Sequence, residues 1–172
     1  ESIEITVEAN PGAVDSEKFQ AYFDAGINRL SIGVQSFDDK YLSKLGRIHT
    51  STDAIKSIEI AKSAGFENIN LDIMHGLPEQ SLVQGLDDLH QAIALSPEHL
   101  SWYQLTVEKN TVFYTNPPQL PVENILDNLF VEGLALLERS QFYQYEVSAF
   151  ARDGRFSRHN KNYWQFSIHI SR

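Results

Sequence analysis

The chain contains no cysteine. It can therefore form no disulfide, no cysteine-ligated zinc site and no thiolate-held iron–sulfur cluster of its own. Basic residues are few: 14 Lys and Arg stand against 23 Asp and Glu, a formal net charge of −9. That balance argues against nucleic acid, whose phosphates need a basic face. No apolar run approaches the roughly 20 residues that span a bilayer, so no transmembrane segment is expected. The opening Glu1–Val7 alternates like a strand and does not read as a signal peptide. Cytoplasmic residence is the default expectation. The first residue is Glu, not Met, which predicts a processed chain or a piece of a longer one. What is present is a globular composition, 42% hydrophobic and 22% charged over 172 residues. That is about one domain with a sizeable core.

The hydrophobic period switches repeatedly between two and 3.6 residues. Ile3, Ile5 and Val7 alternate as a first strand, and Asn10-Pro11-Gly12 breaks it. A helix over 15–25 follows, with Asp15 as N-cap and Gly26 just past its end. Strands are expected at 29–34, 68–74 and 99–107, and helices at 38–45, 52–64, 81–96 and 122–140. Ser81 caps the third of these helices and Pro97 stops it. In the last, Ile125, Leu129, Leu136 and Leu137 should be buried. Residues 108–119 read as a polar loop and 144–150 as a fifth strand. Strand–helix repetition with short turns predicts α/β architecture with parallel strands. A complete eight-unit barrel needs about 250 residues. Four units and a further strand make an arc of a barrel or an open sheet. The expected division is a partial barrel over 1–150 and a basic, aromatic tail over 151–172.

In parallel α/β sheets, ligands bind at the carboxyl ends of the strands. That rule selects Glu8, Gln35, Asp72 and Thr106. Two carboxylates, a carboxamide and a hydroxyl on one rim suit a polyhydroxylated or zwitterionic ligand. Arg47, in a nearby loop, could pair with a ligand carboxylate. Taken singly, each carboxylate also reads as a loop cap and Arg47 as a surface residue; their convergence carries the functional reading. Six histidines occur, none with metalloprotease spacing. His90 reads as exposed and His99 as structural, whereas His75 reads equally as packing or pocket lining. His159 opens His159-Asn160-Lys161-Asn162-Tyr163-Trp164, close to Arg152, Arg155 and Arg158. A neutral imidazole, flat rings and cations suit haem, although a structural histidine fits the same residues.

Four segments occur in order: Glu8-Ala9-Asn10-Pro11-Gly12; Arg29-Leu30-Ser31-Ile32-Gly33-Val34-Gln35-Ser36-Phe37; Leu45-Gly46-Arg47-Ile48-His49; and Asn70-Leu71-Asp72-Ile73-Met74-His75-Gly76-Leu77-Pro78. Through them the chain resembles the oxygen-independent coproporphyrinogen III oxidase family of radical S-adenosylmethionine (SAM) proteins. The resemblance runs from residue 1 to about Phe166. The stretch from His159 to Trp164 resembles the HNxxYW motif of that family's haem-chaperone branch, and Leu100–Thr106 is similar to the same branch. The resemblance implies a partial (β/α)6 TIM-like barrel, SAM, and a [4Fe-4S] cluster held by three cysteines. It implies SAM contacts at Glu8, Gln35, Arg47, Asp72 and Thr106. It implies haem contacts at His159, Asn160, Tyr163 and Trp164, with His159 on the iron.

Two departures accompany the resemblance. The family's cysteine motif and first glycine-rich SAM loop precede the segment matching Glu1. After Phe166 the chain reads Ser167-Ile168-His169-Ile170-Ser171-Arg172 where the family has a glycine-rich stretch. An internal fragment is therefore expected, inactive as a radical enzyme without cluster cysteines. The expected function is haem binding for transfer to an acceptor protein, such as a respiratory enzyme. The alternative is a coproporphyrinogen III oxidase of porphyrin biosynthesis. A third reading is an unrelated barrel enzyme using Glu8 and Asp72 as an acid–base pair.

Overall fold

The computed structural model describes residues 3–13, 15–152 and 154–158. The elements alternate along the chain: β1 (Thr6–Ala9), α1 (Ser16–Asp24), β2 (Arg29–Gln35), α2 (Asp39–Lys44), α3 (Ser51–Ser63), β3 (Ile69–His75), α4 (Leu82–Ala94) and β4 (His99–Gln104). After them come α5 (Val112–Thr115), α6 (Glu123–Arg139), β5 (Tyr143–Glu146) and β6 (Ala149–Ala151). The strands form one sheet in the order β1-β2-β3-β4-β6-β5. Neighbouring pairs from β1 to β4 are parallel, as expected. β6 runs antiparallel to both β4 and β5.

Local chemistry explains the helix starts. Asp15 caps α1 by accepting from the Lys18 amide, and Asp38 caps α2. Thr50 with Asp53 and Ser81 with Gln84 form reciprocal capping boxes at α3 and α4. Alternate strand residues point to opposite faces of the sheet. Leu30, Ile32, Ile69, Leu71, Ile73, Leu100 and Trp102 form the main core with Phe19, Ile58, Leu89, Leu129 and Leu137 from the helices. The residues between them, Ser31, Asn70, Asp72, His99, Ser101 and Tyr103, form an inner polar face. This division stacks the helices on one side and leaves the other for polar chemistry.

Five expectations are corrected. The first strand is Thr6–Ala9, not 3–7: Asn28 accepts from the Ile5 amide and donates to the Ile3 carbonyl, so a side chain replaces the ladder there. Ile3 is consequently 78% exposed. The expected fifth strand is a hairpin, because the chain turns at Val147–Ser148 and Gln144 Nε2 donates to the Val147 carbonyl. The expected loop over 108–119 contains the single-turn helix α5, capped by Thr111. Ile125 is only half-buried, whereas Leu129, Leu136 and Leu137 are buried. β4 also stops at Gln104, short of residue 107, where the Leu105 amide turns to the His75 carbonyl.

Candidate functional site

β1, β2 and β3 carry three of the sequence-selected residues, Glu8, Gln35 and Asp72, and the loop after α2 brings Arg47 to the same side. Glu8 lies beside Ser31 in the β1–β2 register, and Asp72 beside Ser101 in the β3–β4 register. The Glu8 charge reaches Asp72 and raises its carboxyl pKa. Burial is the larger cause of that rise. Hydrogen bonds from Asn70 and Ser31 oppose it, because each favours the anion. Asn70 Nδ2 donates to Asp72 Oδ1 at 2.8 Å, and Ser31 Oγ to Oδ2 at 3.2 Å.

Gln35 ends β2 in a left-handed conformation, φ 69°, where the β2–β3 register shifts. Its Oε1 accepts from the Tyr103 hydroxyl at 2.7 Å. A Cβ on Gly33 would sit 3.1 Å from Gln35 Nε2 and 3.4 Å from Asn10 Oδ1. Glycine there makes room for both carboxamides. Arg47 is exposed, and its guanidinium reaches Asn10 Oδ1 at 3.4 Å. Burial raises the Tyr103 pKa, with the Asp72 charge adding and the Arg47 charge opposing. Tyr103 is thus a common neighbour of Gln35, Asp72 and Arg47. Thr106 is exposed two residues beyond β4, and no hydrogen bond among the described residues joins it to the other four.

Sequence reasoning missed Tyr103, Asn10 and the supporting Ser31, Asn70 and Ser101. A signal was present: polar residues recur every second position in β2, β3 and β4, which puts them on one face. His75 proves to be a packing residue. It is buried against Trp102, ring centroids 4.2 Å apart, and burial lowers its pKa to about 4. His90 is exposed and His99 is fully buried, as expected. Among the described residues no cluster of His, Asp or Glu could hold a metal ion. No described helix is long and apolar enough to cross a membrane. His159, Asn160, Tyr163 and Trp164 lie outside the described residues.

The sequence model of the Radical SAM superfamily matches residues 1–92. The chain belongs to the radical SAM superfamily. That match contains Glu8, Gln35, Arg47 and Asp72. Among radical SAM relatives, the haem chaperone HemW of Haemophilus influenzae is 50% identical over 171 residues, 99% of this chain and 45% of that protein. The Escherichia coli haem chaperone HemW is 51% identical over 167 residues, 97% of this chain and 44% of that protein. The chain thus spans less than half the length of these relatives. The structure of E. coli coproporphyrinogen III oxidase HemN, a radical SAM enzyme, superposes with a TM-score of 0.80 at 22% identity. That superposition covers 98% of this chain and 39% of HemN. The fold is accordingly a partial TIM-like barrel of the radical SAM type, as expected, and the polar face lines its interior.

Proposed function

We propose that this chain is part of a haem-chaperone-like protein that binds haem and passes it to an acceptor protein, such as a respiratory enzyme. One observation carries the reading: about half the residues are identical to HemW haem chaperones along nearly the whole chain. The same similarity favours this reading over a coproporphyrinogen III oxidase. HemN, at 22% identity, supports the fold alone. Residues 1–150 supply the partial barrel and 151–172 the haem-motif tail. His159 is the candidate ligand to haem iron, with Asn160, Tyr163 and Trp164 beside it. Its place of action is the cytoplasm.

SAM fits the inner polar face. Its ribose hydroxyls and ammonium are donors, and Glu8 and Asp72 are acceptors within electrostatic reach of each other. Its carboxylate suits the exposed Arg47 guanidinium. Gln35 and Thr106 complete the proposed contacts. In radical SAM proteins a [4Fe-4S] cluster would supply the electron that reductive cleavage of SAM needs. The residues of this chain do not fit such a cluster, because clusters of this kind need thiolates and the chain has no cysteine. The chain's own residues therefore bind and orient; no radical step is assigned to them.

A visible-absorption titration with haem tests the proposal on the wild-type chain and His159→Ala. The expected result is a saturable Soret shift in wild type that His159→Ala loses. An equal response in both would remove the assignment of haem to His159.

A further inference from the structure

A line of hydrogen bonds runs through the barrel interior, and its direction can be assigned. Ser31 Oγ donates to Asp72 Oδ2 and so accepts from Asn70 Nδ2, which turns the same amide nitrogen to Asp72 Oδ1, at 2.8 Å. Asn70 Oδ1 then faces His99 Nδ1 at 2.6 Å and Ser101 Oγ at 3.1 Å. Both must donate. His99 Nδ1 therefore carries a proton. His99 is completely buried, and burial together with the Arg29 charge lowers its pKa to about 3. The ring is neutral, so Nε2 accepts, and the Tyr145 hydroxyl donates to it. The Tyr145 oxygen in turn accepts from the Ser157 amide at 3.3 Å. Every donor in the series Ser157, Tyr145, His99, Asn70 points toward Asp72.

The series starts at the amino ends of the strands and climbs to Asp72, the middle residue of β3. Ser157 lies at the floor, where its hydroxyl reaches Glu4 Oε1 at 3.4 Å and the Arg158 amide reaches the same oxygen at 3.0 Å. Arg155 also donates to the Glu67 carbonyl there, at 3.4 Å. The chain over 155–158 is thus a strap tied across the floor. Asn70 is 1% exposed and makes all four of its amide hydrogen bonds, two as donor and two as acceptor. Nothing in such a saturated pair can rotate without breaking several bonds.

We propose that Asn70, His99 and Tyr145 are positioning residues for Asp72, forming a one-way relay from the floor strap that keeps the carboxylate fixed and ready to accept ligand hydroxyls. The inference deepens the reading of Asp72 as a ligand contact. It is tested without any ligand, so its failure and that of the haem or SAM reading are separable. The charged and titratable groups facing the relay are Glu8 and Tyr103 at the Asp72 end, with Arg47 acting on Tyr103, Arg29 at His99, and Glu4 at Ser157.

The test is NMR on the full chain. Nitrogen shifts of His99 should report one neutral tautomer, with the proton on Nδ1, throughout pH 5–8. Carbon-detected titration should show the Asp72 pKa rising by at least about half a unit in His99→Leu, which frees Asn70 to rotate away. His99→Asn, which keeps a donor near the Nδ1 position, should restore most of the wild-type value. A proton on His99 Nε2 would overturn the proposal even if the leucine variant does not fold. So would an Asp72 titration unchanged in a folded His99→Leu protein.

Discussion

Asp88 shows how one buried side chain can hold two rim loops. It sits on α4, 4% exposed, and accepts from the Phe37 amide at 2.6 Å, Ser36 Oγ at 2.8 Å and Gln80 Nε2 at 3.4 Å. Those partners belong to the loops that follow β2 and β3, the strands carrying Gln35 and Asp72. Burial pushes its pKa from 3.8 up to about 6, with Phe37 and Ser36 opposing and Asp38 and Asp87 adding. The folded value exceeds the unfolded one, so this group favours the fold below pH 3.8. The contribution is lost as pH rises through about 6. Asp88→Asn removes the titration. The stability of the variant relative to wild type should grow between pH 4 and 7.5, by an amount of order 3 kcal/mol at most. Urea unfolding at the two pH values measures it, and a pH-independent difference would contradict the assignment. His75 and His99 act with the opposite sign. Their folded pKa values of about 4 and about 3 lie below 6.5, so their contribution is present above pH 6.5 and lost in acid. In His99→Asn the decline in stability between pH 6.5 and 4 should be shallower than in wild type, by the same measurement.

At the scale of elements, α6 and β4 meet at a glycine. A Cβ on Gly133 would lie 2.2 Å from the Trp102 ring, which packs against His75 on one side and stacks parallel to Phe130. Gly85 on α4 faces the tip of Leu129, at 2.6 Å, a side chain that can turn aside. Alanine also favours a helix by about 1 kcal/mol over glycine. Gly133→Ala should therefore destabilise by about 1–3 kcal/mol and shift Trp fluorescence, while Gly85→Ala should cost less. Urea midpoints of the two variants make the comparison; equal costs would mean that the Trp102 ring yields as readily as Leu129. The same scale shows what the sequence could not reveal. β2, β3 and β4 alternate apolar and polar residues and were legible. The turn between β5 and β6 is Val147–Ser148, without the Gly, Asn or Pro that marks most turns, so the hairpin read as one strand. α5 is a single turn of four residues, too short for a helical period to register.

For the whole molecule, the strand-end rule was enough to find the polar face, because it depends on topology and not on contacts. It selected Gln35 and Asp72, which share a neighbour that it did not contain, Tyr103, and Glu8, whose charge reaches Asp72; Thr106, selected by the same rule, stands apart. The interior relay was invisible for a physical reason. Its members are brought together only by sheet register, with His99 bonded to Asn70 29 positions away and to Tyr145 46 positions away. The resulting barrel arc presents acceptors on its inner face and ties the 155–158 strap at the amino ends of the strands; under the proposed function SAM binds at the acceptors. The most direct measurement is a SAM titration of nitrogen-labelled chain followed by NMR, repeated on Asp72→Ala. The account predicts saturable shifts clustered at Glu8, Gln35, Arg47, Asp72 and Tyr103, with affinity at least about tenfold weaker in the variant, a loss of roughly 1.4 kcal/mol. Shifts that map elsewhere, or equal affinity in the two proteins, would contradict it.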